Sequence, residues 1–138
     1  DPGQLHEIQL ADYKVKGLKL NFSLGFFKSL HTVLLGKNQG LILGAKDDSG
    51  KIIAGLFLGW DAYEMYYLSG AILPEYRNSG ALTLLLWTAI KLAHDKGVRF
   101  NFKGSMIESV ERYFRSFGAQ QVPYYEIRKT DSSILKLV

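Results

Sequence analysis

Cysteine is absent from this 138-residue chain, which removes disulfides, thiolate nucleophiles and cysteine-held metals together and leaves the redox compartment undetermined. Histidine is scarce: His6, His31 and His94 lie far apart without metal-site spacing, so no metal is expected. His31 stands beside Leu30 on a helical pattern and reads as a partly exposed helix residue. Long apolar runs are missing as well. The longest in the later helical segment, Ala81 to Ile90, is broken by Thr83 and Thr88 and ends at Lys91, short of the roughly 18 to 20 residues of a membrane span. The N-terminus shows no charged, apolar, small-residue series of a secretion signal, and the expected location is cytoplasmic. It also lacks methionine: the chain opens on Asp1-Pro2-Gly3 and reads as a piece, the C-terminal part, of a longer protein.

What is present is globular. Hydrophobic residues make up 47% and charged residues 22%, and the length suits one domain, residues 1–138, with a real core. A net charge of +4 and a pI near 9.2 favour an anionic partner such as a nucleotide cofactor, a nucleic acid or a charged lipid head. The basic residues are spread out, apart from a loose group of Arg99, Lys103, Arg112 and Arg115.

Residues 1–20 show no clear periodicity and read as an irregular lead-in, in which Ile8 to Val15 forms at most a short element. Phe26, Phe27, Leu30, Val33 and Leu34 then predict a helix over Ser23 to Leu35, capped by Ser23 and Gly36. Leu41–Lys46 and Lys51–Gly59 flank Asp47-Asp48-Ser49-Gly50 as a hairpin, and Tyr63–Ile72 follows as a third strand of an antiparallel meander. Leu82, Leu85, Leu86, Ala89, Ile90 and Ala93 place a second helix over Ala81–Lys96, closed by Gly97. Val98–Phe102 is a short strand reached by a crossover, hence parallel to the third strand. Ser105 and Glu108 have capping-box spacing for a third helix that reaches Gly118, and Gln121–Arg128 with Ile134–Val138 predicts a last hairpin. The fold class is α/β, with α+β features in one mixed sheet: a meander, then β-α-β-α-β.

The stretch Tyr66 to Gly97 reads as strand, loop, helix, and its loop can be taken in two ways. A helix N-terminus with unpaired N–H groups, a cation at Arg77 and no side chain at Gly80 make Arg77-Asn78-Ser79-Gly80 a phosphate cradle. Alternatively, Asn78 or Ser79 is an ordinary cap, Gly80 a turn residue and Arg77 a solvated cation.

Pro74-Glu75-Tyr76-Arg77-Asn78-Ser79-Gly80-Ala81-Leu82 resembles the R-x-x-G-x-G/A loop of Gcn5-related N-acetyltransferases (GNAT), with Leu82 where a second Gly or Ala is usual. The order of elements is similar too. Ser79-Gly80-Ala81 to Trp87 and Ile90, Phe100-Asn101-Phe102-Lys103-Gly104-Ser105, and Tyr113-Phe114-Arg115-Ser116-Phe117-Gly118-Ala119 resemble three features of the FemAB-like and BioF2-like acyltransferases. Asn101 replaces that branch's acid and Phe114 its lysine. The likeness spans roughly Ser23 to Arg128, and FemAB-like proteins carry two such domains in tandem.

The resemblance implies acyl transfer to an amine from acetyl-CoA, another acyl-CoA or a carrier-bound donor. The donor would be held by Ile72, Leu73, Arg77, Asn78, Ser79, Gly80, Ala81 and Leu82, with backbone N–H groups of Ala71 to Leu73 polarising its carbonyl. Glu64 and Glu75 are candidate bases. Tyr66, Tyr67, Tyr76, Tyr113, Tyr124 and Tyr125 are candidate acids or walls, with Tyr113 next to the position of the family's usual acid. Tyr124 and Tyr125 alternate across a strand, so at most one faces a cleft. Glu108 reads as a cap partner rather than a catalyst. The acceptor is expected to be a small-molecule or peptidoglycan-precursor-like amine, with no DNA partner. Two rival readings stand beside this one: an aminoacyl-tRNA-dependent transferase, in which the basic group touches tRNA phosphates, and a non-catalytic GNAT-fold domain that only binds a partner.

Overall fold

In the computed structural model, which describes residues 1–105, 107–125, 127 and 129, the chain divides into two units, residues 1–105 and 106–138. The first contains α1 (Pro2–Val15), α2 (Leu24–Gly36), β1 (Gly40–Lys46), β2 (Ile52–Trp60), β3 (Glu64–Ile72), a 3-10 turn (Pro74–Tyr76), α3 (Ala81–Asp95) and β4 (Arg99–Asn101). The sheet order is β1-β2-β3-β4, antiparallel except for the parallel pair β3·β4, so the expected mixed sheet is present. β2 is central: seven consecutive residues, Ile53 to Gly59, are buried, because helices cover both faces. Leu5 of α1, Phe27 of α2 and Phe57 of β2 form a core cluster on one face. Ala54, Leu56 and Leu58 point to the other face, and α3 packs on β2 and β3 through a row that includes Leu86 and Ala89.

The largest departure from expectation is α1, a 14-residue helix where irregular chain was expected. Its buried positions Leu5, Ile8, Gln9 and Asp12 fall at i, i+3, i+4 and i+7, joined by His6. The period was hidden because half of that face is polar. Asp1 caps the helix by accepting the Gly3 N–H at 3.0 Å, and Pro2 occupies the first turn. Leu5 sits so near the sheet that a Cβ at Gly55 would lie 2.6 Å from its Cδ1.

The β1–β2 turn is built on Asp47. Its Oδ1 accepts the Ser49 N–H, the Ser49 hydroxyl and the Lys51 N–H at 2.9, 2.6 and 3.0 Å, while Oδ2 accepts the Tyr76 hydroxyl at 2.9 Å. Hydrogen bonds from Ser49 and then Tyr76 hold this carboxyl down at about 2. A carboxyl depressed on folding contributes stability above its unfolded value and loses it as pH falls through the folded one. Asp47→Ala is therefore expected to lower Tm at pH 7 and to flatten the acid-side loss of Tm between roughly pH 4 and pH 2. Thermal melts of both proteins over that range check it; parallel curves would assign the acid sensitivity elsewhere.

In the second unit α4 covers Glu108–Arg115, with Ile107 at the N-cap and no side-chain cap bond. The N-cap is thus Ile107 rather than the expected Ser105, and Glu108 pairs with Arg112 one turn on, at 2.6 Å. Residues 121–125 are irregular and Tyr124 and Tyr125 are both 86% exposed, so they do not alternate across a strand. Ile127 is likewise exposed, and the rest of the predicted hairpin, including Ile134–Val138, lies outside the described residues.

Candidate functional site

β4 pairs with β3 only at Glu64↔Arg99, Met65↔Phe100 and Tyr66↔Asn101. Beyond Tyr66, among the described residues, no strand pairs with that side of β3, and the edge of the first unit is open there. The Leu73 N–H donates to the Ile53 carbonyl at 2.8 Å, which fixes the alternation: Leu73, Ala71 and Ser69 bond to β2, while Gly70 and Ile72 turn their N–H and C=O groups to the open edge. Of the expected backbone donors Ile72 is available, whereas Leu73 and Ala71 are not. Gly70 is a further donor that the sequence reading missed. Tyr67 is half-buried beside this stretch, its hydroxyl 2.9 Å from where a Cβ on Gly70 would project.

At the end of β3 the chain passes through the 3-10 turn into α3. Gly80 is the N-cap of α3 at φ +77, a left-handed conformation that glycine takes without strain, and a Cβ there would meet nothing within 4 Å. The Ser79 hydroxyl accepts the Ala81 N–H at 3.2 Å. Among the described residues, the N–H groups of Asn78, Gly80 and Leu82 donate to no protein acceptor. This combination suits an anion: unpaired amides, a helix N-terminus and no side chain in the way.

Two aspartates brace the cradle. Tyr76 is tied to Asp47, and that bond raises the tyrosine's pKa. Arg77 donates from Nη2 to Asp12 Oδ1 at 2.9 Å, while Lys16 Nζ holds the other oxygen at 2.5 Å. The Asp12 side chain is 2% exposed and that of Arg77 39%, so Arg77 is an anchored residue rather than a solvated one. Asp12 went unrecognised because a carboxylate on an apparently aperiodic segment gave no signal of burial.

The candidate acid–base residues separate. Glu64 opens β3 and Ile72 closes it, about 25 Å apart at the rise of a strand. Its carboxylate is also committed, accepting from Asn101 Nδ2 at 2.8 Å and from Arg99 at 3.2 Å. Glu64 thus braces the short β3·β4 pairing. Tyr66 donates its hydroxyl to Asp61 at 2.7 Å, and that bond pushes it up to about 12. Glu75 is closer to the cradle, with Lys51 at 3.4 Å, and its pKa is lowered, first by its own backbone N–H. Tyr113 belongs to the second unit, half-buried and edge-on to Phe117 at 5.3 Å.

Residues fit to receive acyl-CoA are therefore present: the α3 cradle for phosphates, and the Gly70 and Ile72 edge for an extended polar arm. No curated protein sequence matches the chain. Among solved structures it is similar to an aminoglycoside 6'-N-acetyltransferase, AAC(6')-IG, of Acinetobacter haemolyticus (19% identity, 94% of this chain and 92% of that one, TM-score 0.68). It is also similar to a predicted acetyltransferase of Clostridium acetobutylicum solved with acetyl-CoA (14%, 93% and 92%, 0.70). A third similar structure is AAC(6')-Iy with a bisubstrate analog, CoA-S-monomethyl-acetylneamine (13%, 93% and 92%, 0.67). These likenesses give the fold and single out no FemAB-like branch. Residues 4–115 match the family model described as Acetyltransferase (GNAT) domain, and with most of the chain inside that match, this protein belongs to the GNAT acetyltransferase family.

Proposed function

We propose that this chain is an N-acyltransferase that moves an acetyl or similar acyl group from acyl-CoA to a small-molecule amine. The observation that carries the reading is the open β3 edge leading into an α3 N-terminus with unpaired amides at Asn78, Gly80 and Leu82. When bound, acyl-CoA supplies a thioester whose acyl carbon can be attacked by an amine. The protein's part is to position. The cradle amides hold phosphates, the Gly70 and Ile72 groups hold the polar arm and face developing negative charge, and Ser79 and Asp12 keep the loop in place. As the C–N bond forms and the thioester C–S bond breaks, the proton lost by the nitrogen passes through water to the departing coenzyme A thiolate, since Glu64 and Tyr66 are committed elsewhere.

Similar structures that handle aminoglycosides make an amino sugar or another small amine the first acceptor to try, with a peptidoglycan-precursor-like amine and a cytoplasmic setting as further expectations. Weighing against the aminoacyl-tRNA reading, three of the four cations that would face RNA are paired: Arg99 with Glu64 at 3.2 Å, and Arg112 and Arg115 with Glu108 and Glu111 at 2.6 Å each. Calorimetric titration with acetyl-CoA and with free coenzyme A at low and moderate salt tests the proposal. Micromolar binding of both is expected; no binding at either salt would overturn it. Binding without turnover on any amine would leave the non-catalytic reading.

A further inference from the structure

The inward face of α1 carries polar side chains where packing normally takes apolar ones. His6, Gln9 and Asp12 are 7%, 1% and 2% exposed. Asp12 is matched on both oxygens by Arg77 and Lys16. Gln9 is only half matched: Nε2 donates to Ser69 Oγ at 2.8 Å, but Oε1 has no donor, and His6 Nε2 has no partner among the described residues. An orphaned buried polar atom costs stability, so each calls for a partner, either a bound ligand or a buried water.

Their position gives the orphans a use. Ser69 lies on β3 beyond Tyr66↔Asn101, in the stretch that β4 no longer covers, and next to Gly70 with its edge-facing amide. The His6 ring is 6.2 Å from Phe27 and 6.2 Å from Phe22. Phe22 is half-buried and lies in the loop between α1 and α2.

The donor set defines the ligand. His6 Nε2, in the neutral tautomer that leaves its lone pair free, and Gln9 Oε1 would be two acceptors about one helical turn apart. Asp12, the carboxylate of the same row, already carries two cations, so the row offers lone pairs without net negative charge. We propose that His6 Nε2 and Gln9 Oε1 receive the N–H groups of the acceptor amine, bound through donated hydrogen bonds rather than charge. This rests on the acyltransferase reading and deepens it by placing the acceptor on α1, opposite the open β3 edge.

The test combines histidine side-chain ¹⁵N NMR with thermal melts on wild type, Gln9→Leu and His6→Phe. The probes are neamine and spermidine, an amino sugar and a linear polyamine. Saturable movement of the His6 Nε2 resonance is expected with at least one probe, changing little with salt, and weakened about tenfold in Gln9→Leu for one lost bond to the ligand. His6→Phe is expected to melt no lower than wild type, because it removes an orphaned atom, whereas Gln9→Leu also loses the bond to Ser69 and is expected to melt slightly lower; both are expected to titrate acetyl-CoA as wild type does. No movement with either probe, or equal binding by Gln9→Leu, overturns the proposal and leaves an internal water as the partner of these atoms. Movement in a protein that binds no acetyl-CoA would sink the acyltransferase reading while leaving this amine site standing.

Discussion

Gly80→Glu is expected to abolish acetyl-CoA binding. The side chain would project from the N-cap of α3 into space that contains no protein atom within 4 Å, bringing a negative charge to the amides that a phosphate would use. The loss should exceed about 100-fold in Kd, because a fixed anion both occupies the donors and repels the ligand. The fold is not untouched. At φ +77 any L side chain is strained by about 1–2 kcal/mol, offset in part by roughly 0.3–1 kcal/mol from an acid at a helix N-terminus. Gly80→Ala bears the same strain without the charge and should bind within about tenfold of wild type. Calorimetry on the two variants, with melts alongside, separates strain from occlusion. Normal acetyl-CoA binding by Gly80→Glu would show that the donor does not use this helix end.

The second large effect concerns Arg77 and has a sign that decides between two roles. If Arg77 were simply a phosphate ligand, freeing it from Asp12 would tighten donor binding. The 2.9 Å pair to a carboxylate only 2% exposed argues that the arginine anchors the loop to α1 instead. Asp12→Asn keeps the shape and the Arg77 charge, yet is expected to weaken acetyl-CoA about tenfold by loosening the cradle. The stability costs should be unequal. Arg77→Ala strands the buried carboxylate with Lys16 alone, at about 2–3 kcal/mol, less than for a fully buried pair since Arg77 is 39% exposed. Asp12→Asn leaves two cations that can hydrate and should cost about 1–2 kcal/mol. In the double variant the losses should fall short of their sum, since one interaction is removed twice. Tighter acetyl-CoA binding by Asp12→Asn would sink the anchor role.

Much of this fold was legible because its signals are local and apolar. Ser23 caps α2 as its spacing indicated, the Asp47–Gly50 turn joins two strands, and the apolar face of α3 ends at Gly97. The parallel β3·β4 pair followed from chain geometry alone. What stayed hidden was polar and long-range. Helix α1 was missed because His6, Gln9 and Asp12 occupy positions that a hydrophobic pattern leaves blank, although Asp1 and Pro2 already marked its start. The cradle was readable as Arg77 to Leu82, but its braces were not, since Asp12 and Arg77 meet across 65 positions of sequence and Asp47 and Tyr76 across 29. The Glu64 partners were equally hidden, since Arg99 and Asn101 come to it from another strand.

The register of β3 shifts between Phe57 and Leu58 of β2, so Ser69 faces Phe57, Tyr67 faces Leu58, and Leu68 faces no residue. Such an extra residue resets the odd–even count of the strand. Tyr66, opposite Gly59, and Ser69, opposite Phe57, share the α1 side of the sheet despite being three positions apart. The strand thus carries two reading frames. The first, through Glu64 and Tyr66, belongs to β4; the second, through Ser69 and Ala71, belongs to α1, while Gly70 and Ile72 keep the edge. Excising Leu68 would merge the frames, turning Tyr66 to the α3 side or Ser69 away from Gln9. The one unmatched residue lets a single strand serve two neighbours whose spacings do not otherwise agree.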